Sequence, residues 1–253
     1  MRSVDGSGSN EPMAENTMQA VILAGGLGTR MRPITETIPK PMITVAGKPF
    51  LQHQLELLSG AGIERALLLV AYLGQQIREY FADGAKFGCH IAYSFEPSPL
   101  GTGGALKNAE AQLRDRFVLV NGDTYLAIDY RALVSEFALA NCSALIVAYK
   151  KPAEVSQDSP ASILPNNLGV NLYGLVTAYR KRNPEGLSHI DAGVIVLKKE
   201  ILAGLRAGQQ CSLEEEIYPS LIARGEMRAW VTREPFYDMG SPTGLAALEE
   251  KLK

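Results

Sequence analysis

An apolar run, Gln19-Ala20-Val21-Ile22-Leu23-Ala24, stops abruptly at Gly25-Gly26, and this feature limits the fold more than any other. A run that short, without polar alternation, suits a strand buried on both faces, and such strands belong to parallel sheets covered by helices. The pattern then repeats. Helical signals at 50–58 (Leu51, Leu55 and Leu58 on one stripe), 75–81, 102–113 and 130–140 alternate with strand signals at 66–72, 91–95, 117–120 and 144–149. This rhythm predicts an α/β fold with a Rossmann-like, doubly wound, mostly parallel sheet.

The rhythm changes after Lys151. Residues 151–186 contain Pro152, Pro160, Pro165 and Pro184, with strand-like pieces at 170–173 and 175–179. They predict a small inserted antiparallel ribbon over the C-terminal edge of the sheet. A buried strand at 194–197, helices at 201–205 and 213–223, and a strand at 228–232 follow. A helix over 242–253 closes the chain, with Ser241 as N-cap and Pro242 at its first position. Residues 18–253 read as one domain. Residues 1–17 are polar and lack the apolar stretch of a signal peptide, so they read as a disordered leader or an expression remnant.

A formal charge of −2 argues against a nucleic-acid polymer or an anionic membrane as partner, so any phosphate-binding charge must be local. Cys89, Cys142 and Cys211 are odd in number and far apart, which fits a reducing cytoplasm better than a disulfide framework. His53, His90 and His189 have no ligand spacing with Cys or Asp, so zinc is not expected. Nothing in the pattern decides between a monomer and a homo-oligomer.

Four stretches carry chemistry. Glycines directly after a buried strand, Leu23-Ala24-Gly25-Gly26-Leu27-Gly28, free successive N–H groups to cradle phosphate oxygens. Arg30 adds a fork suited to phosphate, and Lys40 is fixed between Pro39 and Pro41. Apolar Val118-Leu119-Val120 ends in Asn121-Gly122-Asp123, and Phe236-Tyr237-Asp238 holds a second carboxylate before a helix start. Hard carboxylate oxygens suit magnesium, which keeps substrate phosphates among its ligands. Glu96 ends a strand that leads into the glycine-rich turn Gly101-Thr102-Gly103-Gly104 and then a helix. Glu214, Glu215 and Glu216 read as stabilisation of a helix N-terminus after Ser212. Tyr125 and Tyr237 suit either a sugar pocket or packing.

The string from Leu23 to Pro41 resembles the signature of sugar-1-phosphate nucleotidylyltransferases, LxGGxGTRxxPxTxxxPKP, and matches every fixed position. The resemblance implies a nucleoside triphosphate held by Leu23, Ala24, Gly25, Gly26, Gly28, Thr29 and Arg30, with Glu96, Gly101 and Thr102 at the base. It implies Arg30, Lys40 and Asp123 as catalytic groups, and Mg2+ on Asp123 and Asp238. For the sugar phosphate it implies Lys40, Asp191, Gly193 and either Lys181 or Arg182. Two departures stand out: Asp191 replaces the usual Asn, and Tyr179-Arg180-Lys181-Arg182 lacks the acid of the usual Glu-Lys pair. The stretches GTGGALKNA, SLEEEIYP and FYDMGSP look closest to the heptose-1-phosphate and mannose-1-phosphate guanylyltransferase branch. That branch implies GTP and a manno-configured sugar 1-phosphate. The alternatives are a uridylyl- or thymidylyltransferase on a hexose 1-phosphate, or a non-catalytic nucleotide-sugar sensor; intact Arg30, Lys40, Asp123 and Asp238 speak against the sensor.

Overall fold

The computed structural model describes residues 18–152, 164–181 and 185–253; the leader expected at 1–17 and Arg182 lie outside the described residues. The first half runs β1 (Gln19–Leu23), β2 (Thr44–Val45), β3 (Lys48–Pro49), α1 (Phe50–Gly60), β4 (Arg65–Val70), α2 (Gly74–Phe81), β5 (His90–Phe95), α3 (Gly101–Asn108), β6 (Arg116–Asn121), β7 (Thr124–Leu126) and α4 (Tyr130–Leu139). The second runs β8 (Ala144–Tyr149), β9 (Leu168–Val170), β10 (Val176–Tyr179), β11 (Ile190–Lys198), α5 (Tyr218–Ala223), β12 (Met227–Thr232), β13 (Phe236–Asp238) and α6 (Pro242–Leu252).

Seven strands form one sheet in the order β12-β8-β11-β6-β1-β4-β5. All neighbours are parallel except β11, which runs antiparallel to both β6 and β8. Alternate residues of β1 feed two cores. Ala20 and Ile22 join Leu51, Leu55, Ile77, Phe81, Leu133 and Phe137 of α1, α2 and α4, whereas Val21 joins Leu106 of α3 and Leu221 of α5. Helices therefore cover both faces, as the βα rhythm predicts. A third cluster, with Met31, Phe50, Met239 and Leu248, packs the loop after β1 against α6.

Several elements differ from the sequence expectation. α3 stops at Asn108, whose side-chain amide turns aside to Ser94 Oγ (3.1 Å) and the Phe95 carbonyl (3.2 Å); a 3-10 turn follows at Glu110–Gln112. The helix expected at 201–205 is a 3-10 turn at Lys199–Leu202. The helix expected at 213–223 is a turn of π geometry at Leu213–Ile217 followed by the short α5, because Pro219 has no N–H to continue an α ladder. The ribbon forms as the antiparallel pair β9–β10, but its first strand lies at 168–170. Asn171 accounts for the shift: its side-chain oxygen accepts from the N–H groups of Tyr173 and Leu175 (both 3.0 Å), which makes 171–174 a turn. That turn leans on the edge strand β12, with the Ala229 N–H donating to the Gly174 carbonyl at 2.8 Å.

Two short pairings, β2–β3 and β7–β13, have no counterpart in the sequence reading. All three cysteines are free and buried. Among the described residues no helix is long and apolar enough to cross a membrane.

Candidate active site

A cleft of about 500 Å³ opens at the C-terminal ends of β1 and β6. The loop after β1 forms one wall, through Leu23, Gly25, Gly26, Gly28, Thr29 and Arg30. Ala24 supports this wall from behind; it is fully buried and its N–H donates to the Leu69 carbonyl at 2.8 Å. Buried Thr35 fixes the loop by donating its hydroxyl to the Gly28 carbonyl at 2.8 Å. The two strand-end loops are stitched by the Gly122 N–H, which donates to the Leu23 carbonyl at 3.1 Å. Any Cβ at residue 122 would collide with that carbonyl, so only glycine lets the loops close on each other.

Lys40 and Asp123 meet at the centre of the cleft, with Nζ to Oδ2 at 2.5 Å. Lys40 is nearly buried, and Pro39 and Pro41 flank it in the bend that aims its ammonium. Gln54, on α1, holds the Asp123 turn by donating to the carbonyls of Asn121 (2.8 Å) and Thr124 (2.7 Å). Asp238 arrives through the β7–β13 ladder, where it stands opposite Thr124, and the Met239 N–H donates to the Asp123 carbonyl at 2.9 Å. Burial, then the charge of Asp123, pushes the Asp238 carboxyl above its ordinary range; the Gly240 N–H, Lys40 and Arg30 act the other way. Two mutually repelling hard carboxylates at one site fit a small divalent cation that takes its remaining ligands from substrate and water. Among the described residues no group of three or more His, Cys, Asp or Glu side chains is placed to hold a metal without such help.

Glu96, Gly101 and Thr102 also line the cleft. One Glu96 oxygen accepts from the Leu100 N–H at 3.1 Å, at the start of α3, and the other lies against Gly25. Burial raises its carboxyl, and the Leu100 N–H opposes the rise.

Asp191 and Gly193 reach the same edge of the sheet because β11 runs antiparallel, which brings its start beside the end of β6. Neither lines the main cleft. Gly193 packs on Thr124 and Asn121, and Asp191 accepts from the Gly193 N–H (2.9 Å) and the Tyr179 hydroxyl (3.3 Å). Burial lifts the Asp191 carboxyl to about 6, and the charge of Glu214 adds to the rise, against the Gly193 N–H, the Tyr179 hydroxyl and Lys181. Lys181 sits at the end of the ribbon, half exposed, 3.6 Å from Glu214.

Glu214 stands in the first turn after the Ser212 cap, as expected, and has a second role there. It lines the cleft and accepts from the Thr102 hydroxyl at 2.8 Å, rather than serving only as a helix-start charge. Spacing gave no sign of this, because Thr102 lies 112 positions earlier in the chain. Tyr125 and Tyr237 pair across β7 and β13 and pack against the third core cluster.

Residues 19–156 match the nucleotidyl transferase family. A D-glycero-alpha-D-manno-heptose 1-phosphate guanylyltransferase from Campylobacter jejuni is 36% identical over 89% of this chain and 96% of its own length. The chain belongs to the nucleotidyl transferase family. A mannose-1-phosphate guanylyltransferase from Mycobacterium tuberculosis is 32% identical over 91% of this chain. A UTP--glucose-1-phosphate uridylyltransferase from Synechocystis is 32% identical over 82% of it. The chain spans 63% and 56% of the length of these last two relatives. The crystal structure of HddC from Yersinia pseudotuberculosis complexed with GMP-PN superposes with a TM-score of 0.77 at 30% identity, covering 93% of this chain and 100% of that one.

Proposed function

We propose that the protein transfers a nucleoside monophosphate from a nucleoside triphosphate to a sugar 1-phosphate and releases pyrophosphate. The preferred pair is GTP with a manno-configured heptose or mannose 1-phosphate, and the cofactor is Mg2+ on Asp123 and Asp238. The observation that carries this reading is the Lys40–Asp123 contact beside Asp238, in one cleft with the glycine loop. Both substrates are polyanions, and two like unit charges about 4 Å apart repel by about 4 kcal/mol at an effective dielectric of about 20. Arg30 and Lys40 offset that repulsion from the cleft wall, and Lys181 from beside Glu214 at its rim. Bound magnesium supplies further neutralisation of phosphate charge. The sugar-phosphate oxygen is already anionic, so it needs no general base to attack the α-phosphorus and expel pyrophosphate. The residues act by positioning and by charge stabilisation. Main-chain N–H groups of Gly25, Gly26 and Gly28 receive the phosphates, Lys40 meets the reacting one, and Glu96, Gly101 and Thr102 face the base. Asp191 and Gly193 stand at the sugar side.

The guanine preference is supported by Glu96 in the cleft wall and by the names of the Campylobacter and Mycobacterium relatives. The Synechocystis relative favours a second reading, UTP with a hexose 1-phosphate. Pyrophosphate release from four nucleoside triphosphates against a panel of sugar 1-phosphates separates the two. GTP with a manno-configured acceptor is expected to give the highest kcat/KM. Fastest turnover with UTP would shift the assignment to the second reading, and no turnover with any pair would favour the sensor.

A further inference from the structure

Glu214 is more tightly held than a residue at a helix start needs to be. A single oxygen, Oε2, accepts from the hydroxyls of Ser212 (2.7 Å) and Thr102 (2.8 Å) and lies 3.6 Å from the Lys181 ammonium. The Thr102 hydroxyl in turn accepts from the Leu213 N–H at 2.8 Å. The strand of chain that carries Glu214 is fastened to the first turn of α3. The Gly103 and Gly104 N–H groups donate to the Cys211 carbonyl at 2.9 and 3.2 Å, and the Cys211 N–H donates to the Leu100 carbonyl at 2.8 Å.

This docking explains the glycines of α3. A Cβ at Gly101 would lie 2.6 Å from the Cys211 carbonyl oxygen, and one at Gly104 would lie 2.6 Å from that of Gln209. Lys181 comes from a separate element, the end of the ribbon, and is 48% exposed at its side chain, against 16% for Glu214. A free lysine of that exposure samples many rotamers, and each must be given up when it grips a ligand. A fixed carboxylate beside it restricts that sampling in advance. Burial works against ionisation of Glu214, but the Ser212 hydroxyl, its own N–H, the Thr102 hydroxyl and Lys181 together hold its carboxyl below the usual range.

We infer that Glu214 is a positioning residue: it holds Lys181 over the sugar-phosphate side of the cleft and ties that cation to Thr102 on the nucleotide side. The inference rests on the proposed transfer reaction. Residue 180, beside Lys181 in the chain, is an arginine, and the carboxylates that reach Lys181, Glu214 at 3.6 Å and Glu215 at 3.8 Å, come from a distant segment.

The test is steady-state pyrophosphate release by the full chain with its best substrate pair, comparing Glu214→Gln, Glu214→Asp, Lys181→Met and the Glu214→Gln/Lys181→Met double variant. Glu214→Gln keeps an acceptor for Thr102 and Ser212 but removes the charge. It is expected to raise KM for the sugar phosphate about tenfold while KM for the nucleotide stays within about twofold. Lys181→Met is expected to do the same, and the double variant to be no worse than Lys181→Met alone, since coupled residues are not additive. Glu214→Asp, which retains the charge, is expected to recover part of the loss. An unchanged sugar-phosphate KM in Glu214→Gln, an additive double variant, or a Glu214→Asp as impaired as Glu214→Gln each overturns the tether while leaving the transfer reaction intact. An unsubstituted protein without turnover on any pair overturns both.

Discussion

The two sides of the cleft are built in different ways. The side proposed for the nucleotide is built mainly from the continuous run from Leu23 to Pro41, carried on a parallel strand and locked by short-range contacts such as Thr35 to Gly28. The side proposed for the sugar phosphate has no such run. It is assembled from the end of the ribbon at Lys181, the start of β11 at Asp191 and Gly193, and the turn at Glu214. The first construction holds neighbouring residues of one loop in fixed relation to each other. The second sets a few side chains from separate elements beside the same cleft, where Glu214 and Lys181 approach each other and both act on the charge of Asp191.

Four measurements break or sharpen this contrast. Asp123 serves both sides, so Asp123→Asn is expected to lower kcat at least about 10²-fold with the fold intact by circular dichroism; an active variant would remove the metal assignment. Glu96 belongs to the nucleotide side alone. Glu96→Gln is expected to reduce kcat/KM for GTP about tenfold and to spare UTP, and an equal loss with both nucleotides would end its role as a base reader.

Asp191 tests the sugar side through stability. Its folded-state value of about 6 exceeds the ordinary 3.8, so the folded protein binds that proton more tightly than the unfolded chain does. The stabilisation is complete below the ordinary value and is lost as the pH rises through about 6. Asp191→Asn should then raise stability near pH 7 by about 1–2 kcal/mol, a gain that shrinks toward pH 4. Denaturant titrations at the two pH values check the sign. The smallest effect is expected at Thr35→Val, which removes one buried hydrogen bond to the glycine loop and should cost about 1 kcal/mol. Its kinetic loss should fall on the nucleotide KM and leave the sugar-phosphate KM unchanged.

The same contrast decides what the sequence discloses. The parallel sheet and the glycine loop are legible because each rests on contiguous residues with a clear period or spacing. Asp123 and Asp238 can each be singled out at an element boundary, but their proximity cannot. It depends on β7 and β13, each three residues long and too short to show alternation. Glu214 is legible as an acid at a helix start but not as a cleft residue, because its partner Thr102 belongs to another element. The ribbon is legible as a type of structure and displaced in register, since the Asn171 turn depends on a side chain bonding its own backbone. Between Lys181 and Arg182, Lys181 contacts Glu214, and Arg182 falls outside the described residues.

The β7–β13 ladder also has a consequence for the order in which the protein comes into being. Asp123 belongs to the middle of the chain and Asp238 to its last strand, and the two meet only after β13 has zipped onto β7. A chain still emerging from the ribosome thus holds its glycine loop, Lys40 and Asp123 well before it can pair its two aspartates. The carboxylate pair forms only once the segment through β13 has been made and has paired with β7.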